Sequence, residues 1–169
     1  MTNEVPDSKW PSYVDESLLS KTQGNETQDL FTQKDGLSFA GIHIILDCWG
    51  ASRLNDLAHI ESALREAIRV SGATLLHIHL HHFTPNGGVS GVAVLAESHI
   101  SIHTWPERDY AALDIFMCGD THPEKAIPVF EAAFKTHSTT VTTHLRGVVP
   151  PPSLSKQQQA STNNNEIGS

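Results

Sequence analysis

The sequence has few cysteines, little positive charge and no long hydrophobic run. Its two cysteines among 169 residues are too few for the disulfide framework of a small secreted protein. No segment approaches the roughly 20 consecutive apolar residues that span a bilayer, and no basic and then apolar leader precedes Phe39. We therefore expect a soluble, cytoplasmic protein that is neither exported nor held in a membrane.

The charge balance is acidic, whereas histidine is abundant. Lysine and arginine together number 11 against 19 aspartate and glutamate residues, and the formal net charge is -8 with the 11 histidines neutral. Because nucleic-acid-binding proteins neutralise phosphates with clusters of lysine and arginine, we expect no nucleic-acid partner. The acidic charge is compatible with a cationic substrate.

Both ends of the chain are polar and lack a sustained hydrophobic period. Residues 1–36 cannot bury enough apolar surface to order themselves alone, and residues 150–169 contain a proline run followed by glutamine and asparagine runs. We predict a flexible N-terminal extension over residues 1–36, one folded domain over residues 37–149, and a disordered polar tail over residues 150–169.

Hydrophobic periods of two and of about 3.6 alternate within the domain and predict the order β-α-β-β-β-β-α-β. Asn55 is the expected cap of the first helix, and Thr121 and Glu124 have the spacing of a capping box before the second. The strands are expected at 41–47, 74–83, 89–95, 100–104, 111–117 and 138–146. Short links between the central strands favour antiparallel pairing. The predicted fold class is α+β, a two-layer sandwich of an antiparallel sheet with two helices on one face.

The strand over residues 74–83 is rich in histidine. Its two-residue period puts His77, His79 and His81 on one face, and imidazoles at this spacing suit zinc or iron. The alternative is a strand face of hydrogen-bonded or half-exposed histidines. Because the sequence identifies no carboxylate or cysteine that would complete a metal site, we favour the second interpretation and predict no metal.

Several other polar or reactive side chains have ordinary structural interpretations when they are taken one at a time. Ser90 reads as a turn hydroxyl that bonds its own backbone, Phe83 as a core aromatic, Ser98 and His103 as strand residues, and Cys118 as a buried thiol. The sequence has no Gly-x-Ser-x-Gly elbow. A catalytic triad would have to be assembled from distant parts of the chain.

Four separated motifs nevertheless resemble the small pyruvoyl-dependent S-adenosylmethionine decarboxylase proenzymes of bacteria and archaea. The similarity extends over most of residues 40–147 and includes Gly41 and His43. The four motifs are Gly88-Val89-Ser90-Gly91, Glu97-Ser98-His99, His103-Thr104-Trp105-Pro106-Glu107 and Cys118-Gly119-Asp120. Four motifs in the family's order and spacing make a chance match very improbable.

The resemblance implies a zymogen that cleaves itself autocatalytically between Glu97 and Ser98, into a β chain 1–97 and an α chain 98–169. By match to the family, the Ser98 hydroxyl attacks the Glu97 carbonyl and Ser90 stabilises the processing intermediate. His103 transfers a proton in the elimination that converts Ser98 into a covalent pyruvoyl group. The implied cofactor is therefore made from the chain itself.

The resemblance also implies the chemistry of the processed enzyme. The pyruvoyl group derived from Ser98 would form a Schiff base with S-adenosylmethionine and accept electrons as carbon dioxide leaves. Cys118 matches the proton donor, Glu107 the carboxylate that holds the ribose hydroxyls, and Phe83 the aromatic that stacks on adenine. The product would be the aminopropyl donor for spermidine, within polyamine biosynthesis.

The family further implies a homodimer of processed protomers, with the sheets face to face in a four-layer αββα arrangement. Two alternative functions stay open. One is a pyruvoyl-dependent arginine or ornithine decarboxylase on the same fold, against which Glu107 argues because those amino acids have no ribose. The other is a histidine-rich metal-binding protein without enzymatic activity.

Overall fold

A six-stranded antiparallel sheet forms the centre of the protein. The computed structural model describes residues 31–34 and 36–149, so the predicted C-terminal tail and most of the predicted N-terminal extension lie outside the described residues. The elements are β1 (Thr32–Lys34), β2 (Leu37–Phe39), β3 (Gly41–Trp49), α1 (Leu57–Val70), β4 (Leu75–His82), β5 (Val89–Leu95), β6 (Ser98–Trp105), β7 (Tyr110–Met117), α2 (Ala126–Phe134) and β8 (Ser138–Arg146). The order of the strands in the main sheet is β4-β5-β6-β7-β3-β8.

One face of this sheet carries the hydrophobic core. Residues along β7 alternate strictly between partly exposed and buried, as the two-residue period of a half-buried strand requires. Both helices pack against the buried side. The fully buried members include Leu46, Ile100, Ile102, Leu113 and Ile115 from the sheet and Ile60, Leu64, Phe130 and Phe134 from the helices. The predicted two-layer α+β sandwich is confirmed.

The opposite face of the sheet, which we call the open face, is covered by no helix of the described residues. The strand register places Ser90 beside His103 and His99 beside Phe116 on this face. It also carries an aromatic stack, in which the ring centroid of Tyr110 lies 4.3 Å from Trp49 and 5.2 Å from Trp105. The other histidines of this face are His43, His77, His79, His81 and His144.

The two predicted helix starts are both wrong. The cap of α1 is Asp56 rather than Asn55, because the Asp56 carboxylate accepts the backbone N–H of His59 at 3.0 Å. The predicted capping box does not form. Instead Thr121 donates its hydroxyl to the Cys118 carbonyl at 2.8 Å, and a 3₁₀ turn over Pro123–Lys125 precedes α2.

The structure also differs from the prediction in a hairpin before β3 and in the start of β6. Residues Thr32–Lys34 pair with Leu37–Phe39 in a separate two-stranded hairpin, so the predicted boundary at residue 36 falls inside this hairpin. The buried ring of Phe39 fixes the hairpin to the domain. Strand β6 begins at Ser98, two positions before the predicted start, because Ser98 pairs with Leu95 directly after the turn.

Candidate functional site

The turn between β5 and β6 holds a non-glycine residue in a left-handed conformation. Only two residues, Ala96 and Glu97, separate the paired Leu95 and Ser98. Glu97 has φ +64°, a left-handed conformation that costs an L-residue with a Cβ about 1–2 kcal/mol. Glycine or asparagine usually takes such positions in tight hairpins. The strain therefore lies directly before the Glu97–Ser98 peptide bond.

Ser98 and Cys118 lie together at this end of the sheet. Ser98 is 8 % exposed, and its Oγ accepts the backbone N–H of Cys118 at 3.1 Å. Burial raises the pKa of the Cys118 thiol above its ordinary value, the hydrogen bond with Ser98 acts in the opposite direction, and the Glu97 carboxylate adds to the rise. The thiol is therefore protonated at neutral pH and able to act as an acid.

Ser90 and His103 form a second pair. They are directly opposite each other on β5 and β6, and Ser90 Oγ lies 2.8 Å from His103 Nδ1. The interpretation of Ser90 as a turn hydroxyl bonded to its own backbone is wrong, because its partner is an imidazole on the neighbouring strand. This contact leaves the other ring nitrogen of His103 available for proton transfer.

The loop after β4 and the end of β6 form a cleft beside this second pair. Phe83 is 49 % exposed, so its interpretation as a core aromatic is wrong. Its ring instead borders the cleft together with Ser90, His103, Trp105 and Glu107. An aromatic face, a carboxylate and a hydroxyl are thus available to one ligand.

Trp105 is a cleft residue that the sequence reasoning did not single out. It is 40 % exposed and stacks on Tyr110, so one face of its ring is supported. The available signal was its place in the motif between Thr104 and Glu107. A large aromatic that stays exposed at a strand end is more informative than a buried one.

The structure brings the predicted site residues together in two groups rather than one. Ser98 and His103 are five positions apart on β6, which corresponds to about 16 Å along a strand. Because five is odd, their side chains also point to opposite faces of the sheet. Within one chain, His103 does not reach the Glu97–Ser98 bond.

The part of the chain that the structure describes holds neither a metal cluster nor a membrane-spanning helix. No group of three or more His, Cys, Asp or Glu side chains within residues 31–34 and 36–149 is arranged to hold a metal ion. His81 of the histidine-rich strand packs edge to face on Phe83, with ring centroids 4.6 Å apart. Neither helix of the described chain is long and apolar enough to cross a membrane.

Comparison with known proteins gives consistent results. Residues 42–147 match the model of the family described as S-adenosylmethionine decarboxylase. An S-adenosylmethionine decarboxylase proenzyme of Thermomicrobium roseum is 44% identical over 110 residues, which cover 64% of this chain and 95% of that protein. One from Methanococcus maripaludis is 49% identical over 112 residues, covering 64% and 91%. The crystal structure of the adenosylmethionine decarboxylase from Aquifex aeolicus VF5 superposes with a TM-score of 0.59 at 31% identity, over 68% of this chain and 97% of that one.

Proposed function

Because the chain belongs to the S-adenosylmethionine decarboxylase family, we propose that it cleaves itself between Glu97 and Ser98 and then decarboxylates S-adenosyl-L-methionine. The product is S-adenosyl 3-(methylthio)propylamine, an aminopropyl donor for spermidine biosynthesis. The observation that carries the proposal is the turn itself. A non-glycine residue at φ +64° stands directly before a buried serine hydroxyl.

Cleavage begins with attack of Ser98 Oγ on the Glu97 carbonyl carbon, which moves the acyl group from nitrogen to oxygen. An amide is a poor electrophile, and the left-handed backbone of Glu97 raises the energy of the intact bond relative to the ester. The Cys118 N–H, 3.1 Å from Ser98 Oγ, holds the hydroxyl at the turn. Elimination and hydrolysis then give the β chain 1–97 and the α chain 98–169.

The residues at this end of β6 fit a covalent pyruvoyl group derived from Ser98. Such a group supplies a keto carbon that forms a Schiff base with an amine and accepts the electrons left when carbon dioxide departs. Cys118 is the acid beside Ser98, and burial keeps its thiol protonated. A protonated thiol suits the return of a proton to the substrate α-carbon.

The cleft at the other end of β6 has the chemistry of a nucleoside sulfonium site. The exposed rings of Phe83 and Trp105 offer faces for an adenine base and for the positive sulfonium. The two carboxylate oxygens of Glu107 match the two ribose hydroxyls. Arginine and ornithine have neither ribose nor base, so this cleft and the family match favour S-adenosylmethionine over both.

A homodimer in which two open faces pack together would bring the two ends of β6 from different copies together. The Ser98 side chain points to the other face, so what the partner approaches is the Glu97–Ser98 backbone at the start of the strand. A two-fold axis that runs across the strands reverses their direction, so that the Ser98 end of one copy lies opposite the His103 end of the other. In this four-layer αββα arrangement, the partner subunit's His103 removes the Ser98 α-proton in the elimination, and the partner subunit's Ser90 stabilises the processing intermediate. The separation of about 16 Å within one chain supports the proposal.

Intact-mass measurement tests the cleavage directly. We expect two fragments divided between residues 97 and 98, the later one blocked at its N-terminus, and a Ser98→Ala variant that stays whole. Ser101→Ala is the matched control, because Ser101 lies on the same strand and bonds Asp114 instead. A wild-type chain that stays whole and releases no carbon dioxide would refute the proposal.

Release of labelled carbon dioxide separates the substrates. Carboxyl-labelled S-adenosylmethionine, arginine and ornithine are supplied one at a time to the cleaved protein. We expect release from the first alone. Release from arginine or ornithine without release from S-adenosylmethionine would reverse the assignment of the cleft.

A further inference from the structure

The short hairpin of β1 and β2 touches the segment that carries Cys118. The Thr32 hydroxyl donates to the Gly119 carbonyl at 3.2 Å, across 87 positions of sequence. Strand β1 lies outside the family match, which begins at residue 42. We propose that Thr32 is a positioning residue for Cys118, an assignment that rests on the proposed role of this thiol as proton donor.

The segment from Cys118 to Thr121 depends on hydrogen bonds for its position. Gly119 has φ +63°, and apart from its chain neighbours no atom of the described residues lies within 4 Å of the place where a Cβ would stand, so side-chain packing within this part of the chain does not hold it. The Thr121 hydroxyl donates a hydrogen bond to the Cys118 carbonyl. The Thr32 hydroxyl donates one to the Gly119 carbonyl, so two threonines hold two successive peptide groups.

The Thr32 hydroxyl is itself held by an anchored element. β1 pairs with β2 in full register, and Phe39 at the end of β2 is 1% exposed. After Ala40 the chain enters β3 at Gly41, where an added Cβ would stand 3.0 Å from Cys118 Sγ. The backbone that leads out of the hairpin therefore forms one wall of the thiol's surroundings.

The position of the thiol decides which carbon receives the proton after decarboxylation. Protonation of the substrate α-carbon gives the amine product. Protonation of the former keto carbon instead moves two electrons from the substrate carbon, which leaves as an aldehyde after hydrolysis, and the substrate nitrogen stays on the chain as an N-terminal alanine. Loosening of the Cys118 segment is expected to raise this second outcome, because proton transfer requires close approach of the acid.

The experiment compares Thr32→Val, which keeps the shape and removes the hydroxyl, with Thr32→Ser, which keeps the hydroxyl. Gln33→Ala on the same strand is the control for general disturbance of the hairpin. The first measurement is the rate at which iodoacetamide alkylates Cys118 in the whole protein without substrate. The mass of the peptide that contains Cys118 reports the reaction. Cys48 is the internal reference, since burial raises its pKa to about 12. The second is the fraction of α chains that begin with alanine after a fixed number of turnovers.

We expect Thr32→Val to raise both the Cys118 alkylation rate and the alanine fraction about fivefold, the effect of about 1 kcal/mol from one hydrogen bond. Thr32→Ser and Gln33→Ala should stay close to wild type. Unchanged values in Thr32→Val, equal increases at Cys118 and Cys48, or a Thr32→Ser variant that behaves like Thr32→Val would each overturn the assignment. A chain that never cleaves refutes the proposed function. The alkylation rates of that uncut chain still test whether Thr32 positions Cys118.

Discussion

The division of the site between the two ends of β6 makes a specific prediction about mixed dimers. A Ser98→Ala chain lacks the proposed nucleophile and a His103→Ala chain lacks the proposed base, so neither variant on its own should complete its processing. In the proposed dimer of one chain of each kind, the start of β6 with the intact Ser98 of the His103→Ala chain lies beside the end of β6 with the intact His103 of the partner. Co-expression should therefore restore cleavage, and the His103→Ala chain alone should be cut.

The size of this effect follows from the geometry. Random pairing of equal amounts gives about half mixed dimers, and each has one competent site of two. About one quarter of all chains, or about half of the His103→Ala chains, should then appear as fragments 1–97 and 98–169. An arrangement within one chain predicts no cleavage at all, because each variant chain lacks one of the two residues.

The assay is intact mass of the co-expressed mixture, with different affinity tags to separate the two chains. Each variant expressed alone gives the background, and a matching thermal unfolding midpoint shows that both are folded. The reasoning would be wrong if the two variants are folded and elute together as dimers, yet the mixture shows no more cleavage than each variant expressed alone. Cleavage of the Ser98→Ala chain would contradict it equally.

Three further predictions concern single residues. Glu97→Gly should remove the left-handed strain, stabilise the uncut chain by about 1 kcal/mol in urea unfolding and slow cleavage; a faster cleavage rate would show that strain does not assist the reaction. The rate of decarboxylation by the processed enzyme should be insensitive to pH through neutrality and fall only at alkaline pH. The reason is that burial raises the pKa of Cys118 and the proposed active form is the protonated thiol. A rate limited by Cys118 that falls as the pH rises from acid to neutral would contradict this. Thr104→Val should lower the free energy of unfolding by about 1–3 kcal/mol, since the buried Thr104 hydroxyl accepts the Val89 N–H and donates to the Leu54 carbonyl, each at 2.7 Å; an unchanged denaturation midpoint would count against it.

Much of the fold follows from hydrophobic period. The strict alternation of β7 and the apolar stripe of α1, with Ile60, Leu64 and Ala67 buried, are long enough to be read without knowledge of their neighbours. The β1–β2 hairpin is too short to be predicted in this way. Each of its strands has three residues, too few to establish a period, and its stability comes from tertiary contacts such as the burial of Phe39.

The predictions of the helix caps were wrong for a different physical reason. Asn55 and Asp56 are neighbours with equally suitable side chains, and only the path of the chain decides which one meets the N–H of His59. Thr121 has the spacing of a capping box, but a 3₁₀ turn over Pro123–Lys125 places the start of α2 beyond it. Local rules name the residues that are able to cap a helix, whereas the path of the surrounding chain selects among them.

Part of the arrangement of the candidate site follows from the spacing of its residues along the sequence. Given a strand that contains both Ser98 and His103, an odd separation puts their side chains on opposite faces. Given a two-residue loop after Leu95, the same strand puts His103 opposite Ser90. Strand parity and loop length thus assign His103 to the group of Ser90 and separate it from Ser98 before any coordinates are known. What they cannot supply is the contact of Ser98 with Cys118, 20 positions apart, which depends on how β6 ends beside the loop after β7.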